Sequence, residues 1–224
     1  MKIKKKRILI TAGATTVPID RVRAITNIFK GRTGTEIAKE FARHGHDVTL
    51  ITSSPFLLFV SWFKKINVIK YHTYDELYAA MEKEITGKKR YDIVIHSAAV
   101  SDYKVAGTFI KDENGQLIQI DSSGKVSSNH EEMFLRLIPT EKIINKIRRS
   151  WGFSGYLVKF KLQVGITDNE LREIADESRE ESRAEMIVAN CLEWAHKRAE
   201  IRTKNQAIPV LRKNLAKALR KELE

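Results

Sequence analysis

The sequence predicts one α/β domain built on a doubly wound, mostly parallel sheet, with an antiparallel arm or flap in its middle. Three observations predict it. Short apolar runs end at glycine or at small residues, and segments with one apolar helical face stand between those runs. The middle of the chain then leaves this alternation and carries an Asn-Gly turn.

The elements follow in order. Arg7–Thr11 (RILIT) is an apolar run closing on Gly13, as a buried parallel strand does. Thr35–Arg43 puts Ile37, Ala38, Phe41 and Ala42 on one face of a helix, and His44–Gly45–His46 breaks it. Asp47–Thr52 reads as the second strand and Asn67–Tyr71 as the third. Between them Pro55–Phe63 (PFLLFVSWF) is apolar but about half the length of a membrane span, so it is expected to lie against a partner subunit or another surface. Tyr74–Ile85 is a helix, with Thr73 as N-cap and Glu76 closing a capping box. Tyr91–His96 is the fourth strand and runs into Ser97–Ala98–Ala99.

This order predicts right-handed crossovers in a Rossmann-like sheet, with ligands beyond the carboxyl ends of the strands. Gly13–Asp20, Asn27–Gly34 and Ser97–Asp102 fall there. The arm spans about residues 104–137, with Asn114–Gly115 as a two-residue hairpin turn and Ser122–Ser123–Gly124 beyond it. A helix (Glu141–Arg149), a strand (Tyr156–Val164), a long helix (Asp168–Arg183), a strand (Met186–Ala189) and a C-terminal helix from about Leu211 complete a single domain over 1–224.

Composition narrows the classes. Of 224 residues 42% are hydrophobic, enough for a substantial core. The net charge of +12 suits nucleic acid or small polyanions. Acids and bases are interleaved along Thr167–Arg183 and Arg212–Glu224, which reads as solvated helix faces, so no nucleic acid is expected as partner. The single cysteine, Cys191, forms no internal disulfide, and no His/Cys spacing suggests a protein metal site. A reducing, cytoplasmic setting is expected, with neither signal peptide nor membrane attachment.

Five segments are candidates for chemistry. Small residues at Thr11–Thr16 either admit a phosphate to backbone N–H groups or only make a tight turn. Gly31 and Gly34, directly before a helix and beside Lys30 and Arg32, favour an anion site over simple close packing. In Ser97–Tyr103 the alanines allow close approach, and Asp102 is either a ligand acceptor or a helix cap. Lys125 stands on the arm, where it is either a lysine that closes over a charged substrate on a mobile loop or, like most exposed lysines, only a solvated charge. Phe160 is a core residue or a base-stacking one, and Asn190 either reads a polar ligand edge or satisfies a turn. Two rival readings remain. One is an NAD(P)-binding reductase-like protein, although no Tyr has Lys four residues on; the other is a basic nucleic-acid-binding module.

In order and spacing these segments resemble the phosphopantothenate–cysteine ligases, also called phosphopantothenoylcysteine synthetases, in their stand-alone form. The resemblance is carried by Gly13–Asp20, Arg23 to Asn27, Gly31, Gly34, Ala98 to Tyr103, Lys125 to Ser128, Thr140 to Ile144, Phe160 to Leu162 and Ala189–Asn190. It implies a nucleotide-dependent ligase of coenzyme A biosynthesis. That enzyme forms an acyl-nucleotidylate of 4′-phosphopantothenate from CTP or ATP, with Mg²⁺ on the triphosphate, and passes the acyl group to L-cysteine. It implies that Asn27 and Lys125 are catalytic and that Asn27, Ala98, Ala99 and Asp102 hold phosphopantothenate. It implies that Gly13, Gly31, Gly34, Lys125, Phe160 and Asn190 hold the nucleotide, and that the protein is a homodimer with arm segments reaching across. Ala14 stands where the family has a second glycine, Phe29 and Lys30 replace small residues, Glu141 replaces a common proline, and Ser178 and Ser182 replace lysines of some relatives.

Overall fold

A computed structural model of the protein describes residues 4–58 and 60–224. The chain opens with β1 (Arg7–Ala12), a short hairpin of β2 (Thr16–Pro18) and β3 (Ala24–Thr26), α1 (Arg32–Arg43) and β4 (Asp47–Thr52). Then come a single helical turn α2 (Val60–Phe63), β5 (Ile66–Lys70), α3 (Tyr74–Thr86) and β6 (Ile93–His96). The arm is β7 (Tyr103–Lys111), β8 (Leu117–Ile120) and β9 (Phe134–Pro139). The rest is α4 (Ile143–Arg149), β10 (Tyr156–Gln163), α5 (Asp168–Glu181), β11 (Met186–Cys191), β12 (Arg198–Thr203), β13 (Ala207–Leu211) and α6 (Leu215–Leu223).

Eight strands form the central sheet in the order β13-β12-β11-β10-β6-β1-β4-β5. The six from β11 to β5 run parallel, and β12 and β13 add an antiparallel margin. The expected doubly wound sheet is therefore present. Its central strands are mostly apolar because both faces are covered. On one face Ile8, Ile10, Leu50 and Val188 pack with Ile37 and Phe41 of α1 and with Leu215, Leu219 and Leu223 of α6. On the other, Leu9, Ile51, Val94 and Leu157 meet Leu77, Met81 and Ile85 of α3 and Ile143 and Ile147 of α4. Leu171 and Ala175 of α5 pack on Ile187 and Ala189.

The Thr73 capping box is present at the start of α3, with Thr73 Oγ1 accepting from Glu76 N–H at 3.3 Å. Other expectations are corrected. α1 begins at Arg32, not Thr35, because its first turn packs through Gly34, which apolar periodicity does not register. Asn114–Gly115 is not a two-residue turn: pairing ends at Lys111 opposite Leu117. The Asp112 carboxylate accepts from Asn114 and Gln116 N–H, and that stabilises a five-residue loop. β12 and β13 were not expected, and the terminal helix starts at Leu215, since the chain from Ala207 to Leu211 is extended. Pro209 in β13 lies in an edge strand, where a missing N–H costs no ladder bond.

The apolar stretch Pro55–Phe63 is divided. Leu58 is buried in the core, and Trp62 packs partly on it between the cations of Arg43 and Lys65. Phe56 is exposed, and Phe59 lies outside the described residues.

Candidate active site at the carboxyl edge of the sheet

Three loops converge beyond the carboxyl ends of β1, β6 and β4. β1 turns at Gly13, whose φ is +95°. A Cβ there would lie 2.0 Å from Ser53 Oγ. Gly31 caps α1 in the left-handed region, φ +78°, and a Cβ on it would lie 2.3 Å from the Gly13 nitrogen. A Cβ on Gly34 would meet Ser97 Oγ at 2.5 Å and Ala12 Cβ at 2.7 Å. The three glycines thus seat the open N-terminus of α1 directly on the end of β1. That turn has no side-chain cap and no acidic residue, so its free N–H groups and dipole favour an anion.

Ala14, where the resemblance has glycine, is not among the residues with positive φ. It bridges to Ala99 in extended form and donates its N–H to Ser53 Oγ at 3.0 Å, so alanine fits without strain. Thr15 N–H donates to Ala99 O, Ala99 N–H to Gly13 O, and Ser101 N–H to Thr15 Oγ1. These bonds clamp Ser97–Asp102 against Gly13–Thr15. Asn27 then reaches across: its Nδ2 donates to Ala99 O at 3.2 Å. Asn27 and Asp102 are exposed, and Ala98 and Ala99 are half-buried.

The predicted residues divide between the two faces of the sheet. Ala98 and Val100 pack on the α3/α4 side. Phe160 packs on the α1/α6 side, opposite Val188, and Asn190 lies two residues beyond Val188 on the same face. Gly13, Gly31 and Asn27 occupy the seam between them.

Lys125 is exposed on the arm loop, but its surroundings are anchored. The Asp20 carboxylate accepts from Val22, Arg23 and Val126 N–H and pairs with the Arg23 guanidinium at 2.6 Å. Those donors hold its carboxyl well below the usual carboxylate range, the Arg23 side chain foremost. Arg23 Nη2 also donates to Val126 O, and Arg21 N–H to Gly124 O. The loop expected to be mobile is therefore pinned at both neighbours of Lys125, because a buried Asp20 collects donors from two segments.

Sequence reasoning missed three features. Lys159 is buried in β10, and its amine donates to Ser178 O and Oγ at 2.8 Å each, so a cation returns from the strand to the helix position where some relatives carry lysine. Burial lowers its pKa to about 8. His96, beside it in register, is lowered to about 4 by burial and then by the Lys159 charge. It is therefore neutral near pH 7, with Nδ1 2.9 Å from Thr11 Oγ1. The third is Arg212, whose Nη1 donates to Asn190 Oδ1 at 3.2 Å. A groove of about 680 Å³ lined by Tyr156, Arg179, Arg183 and Glu222 lies at the amino ends of β10 and β11, away from these loops.

A parallel α/β sheet whose carboxyl edge carries a glycine-seated helix N-terminus, beside a small-residue loop and an asparagine, defines the class: a doubly wound α/β protein with its candidate site at the switch point. Residues 3–222 match the family described as the DNA/pantothenate metabolism flavoprotein C-terminal domain, and the chain belongs to that family. It is 37% identical over 191 residues to a coenzyme A biosynthesis bifunctional protein CoaBC of Thermococcus kodakarensis, covering 85% of this chain and 42% of that protein. The CoaBC protein of Methanocaldococcus jannaschii is 30% identical over 192 residues, again 42% of its length. The chain thus spans less than half of these curated relatives. Among solved structures, the DNA/pantothenate metabolism flavoprotein of Streptococcus pneumoniae superposes with a TM-score of 0.83 at 29% identity, covering 97% of this chain and 98% of that one.

Proposed function

We propose that the protein is a phosphopantothenate–cysteine ligase acting in the cytoplasm as a homodimer. The observation that carries the reading is the junction of Asn27 with Ala99 over the Gly13–Gly31 contact. It joins a small-residue pocket suited to an acyl chain to a helix N-terminus suited to a phosphate chain.

In the first step a carboxylate oxygen of 4′-phosphopantothenate attacks the α-phosphorus of CTP or ATP. The bond from that phosphorus to the bridging oxygen breaks, and pyrophosphate leaves. In the second, the amine of L-cysteine attacks the acyl carbon, loses a proton to solvent and expels the nucleoside monophosphate. Bringing two anions together is the main obstacle, and fixed N–H donors at the start of α1, with Lys30 and Arg32 beside them in sequence and Lys125 on the arm, lower it. One Asn27 amide hydrogen is held by Ala99 O, which leaves the second for the acyl oxygen as it gains charge. Ala98, Ala99 and Asp102 take the pantothenate portion; Gly13, Gly31, Gly34, Phe160 and Asn190 take the nucleotide. Among the described residues no three His, Cys, Asp or Glu side chains are arranged around a metal position. A Mg²⁺ ion would therefore be held by triphosphate oxygens and water. Exposed Val22, Ile28, Phe29, Tyr103, Leu117 and Leu137 on the hairpin, the Asn27 loop and the arm supply an apolar face for the second subunit.

The test is pyrophosphate release with 4′-phosphopantothenate and cysteine, run with CTP and with ATP. Release with one of them, and accumulation of the nucleotidylate in Asn27→Ala, supports the reading. No release with either nucleotide overturns it, and normal turnover by Asn27→Ala removes Asn27 from the second step.

A further inference from the structure

Arg212 is half-buried in the turn between β13 and α6. Two side chains hold its guanidinium. Nη1 donates to Asn190 Oδ1 at 3.2 Å and Nη2 to Thr33 Oγ1. Asn190 is the last residue but one of β11, and Thr33 lies in the first turn of α1, so one side chain ties the end of the strand to the start of the helix. Both partners are neutral, and among the described residues no carboxylate pairs with Arg212. The other arginine of this segment, Arg220, pairs with Glu40 and Glu224. Burial without a compensating acid pulls the Arg212 pKa down from its ordinary value. A partly desolvated guanidinium beside an uncapped helix N-terminus is a positive site awaiting an anion.

The geometry also orients Asn190. Guanidinium nitrogens only donate, so the atom of Asn190 that faces Arg212 is its carbonyl oxygen. Its NH₂ group is left to donate elsewhere.

Resting on the nucleotide reading above, we propose that Arg212 is a further nucleotide-binding residue. Its remaining N–H groups engage the triphosphate chain at the first turn of α1, and its bond to Asn190 turns that amide so that NH₂ meets an acceptor on the nucleotide. Five guanidinium N–H donors are available and two are used by protein, which leaves a fork for phosphate oxygens.

Calorimetric titration with CTP and ATP, and with their mono- and diphosphates, tests this on wild type, Arg212→Gln and Arg212→Lys. Arg212→Gln should weaken the triphosphate by about 10–100-fold, as expected for loss of charge-assisted bonds. Monophosphate affinity should fall by less than triphosphate affinity, through the loss of the Asn190 orientation alone, and 4′-phosphopantothenate affinity should stay within about threefold. Arg212→Lys keeps the charge and the stem but not the fork, so it should fall between. Triphosphate binding within about threefold of wild type in Arg212→Gln overturns the proposal. An equal loss for tri- and monophosphate with a lowered melting point overturns it too, since the role is then structural. A wild type that binds neither triphosphate overturns the nucleotide reading along with it; wild-type binding with unaffected variants removes Arg212 alone.

Discussion

Replacing Gly31 by alanine tests the contact on which the crevice is built. Two costs add. The residue sits at φ +78°, where an L side chain is disfavoured by about 1–2 kcal/mol. The new Cβ would also lie 2.3 Å from Gly13 N and 2.7 Å from Gly13 Cα, which are backbone atoms that cannot rotate aside. Forcing a methyl into such a contact costs about 1–3 kcal/mol. Gly31→Ala should therefore lose about 2–5 kcal/mol in a urea titration. Gly45→Ala is the matched control: φ is +85°, but a Cβ there has nothing within 4 Å. It should lose only the conformational part, about 1–2 kcal/mol. The difference between the two variants isolates the Gly31–Gly13 contact. Equal losses, within about 0.5 kcal/mol, would refute the claim that the α1 N-terminus is seated on the end of β1.

The other predictions concern charge, the arm and assembly. Because the folded-state pKa of His96 lies near 4 and the unfolded value near 6.5, the unfolded chain binds the extra proton first between those limits. Stability should fall as pH drops from 6.5 to 4, by about 3 kcal/mol in all, and His96→Gln should flatten that part of the profile in urea titrations at several pH values. An unchanged slope would place the proton elsewhere. Asp20→Asn should make residues 121–133 cut faster in limited proteolysis mapped by mass spectrometry, ahead of global unfolding, since Val126 and Arg23 lose their shared carboxylate. An unaltered cleavage pattern would mean the arm is held by other contacts. Leu117→Asp with Leu137→Asp should break the proposed dimer into monomers in sedimentation; two exposed arm residues without effect would move the proposed interface away from the arm.

The sheet was legible because strands such as Asp47–Thr52 are buried on both faces and carry Val48, Leu50 and Ile51 among small threonines. The site loops were legible for a different reason. Gly13, Gly31 and Gly34 stand at strand and helix ends, and each is closely approached, Gly31 by the Gly13 backbone, Gly13 by the Ser53 hydroxyl and Gly34 by Ser97 and Ala12. What escaped was set by tertiary contact. Ala199 and Ile201 alternate with Arg198, Glu200 and Arg202, a period-two signal for β12 that its charges obscured. Extending the last helix back to Leu211 turned Arg212 into one more solvated helix charge, whereas the extended β13 aims it at Asn190 and Thr33. Lys159 was hidden likewise: nothing local to Tyr156–Gln163 says that its amine will find Ser178, 19 positions away.

Asp20 has a mechanical meaning as well as an electrostatic one. The strand leading to Asn27 and the loop bearing Lys125 leave from the same carboxylate, so neither is an independent lever. A ligand that draws the lysine inward must drag on the asparagine's hairpin. In the proposed reaction Lys125 serves the first half and Asn27 the second, and a shared fulcrum would keep the second tool in place while the first is in use.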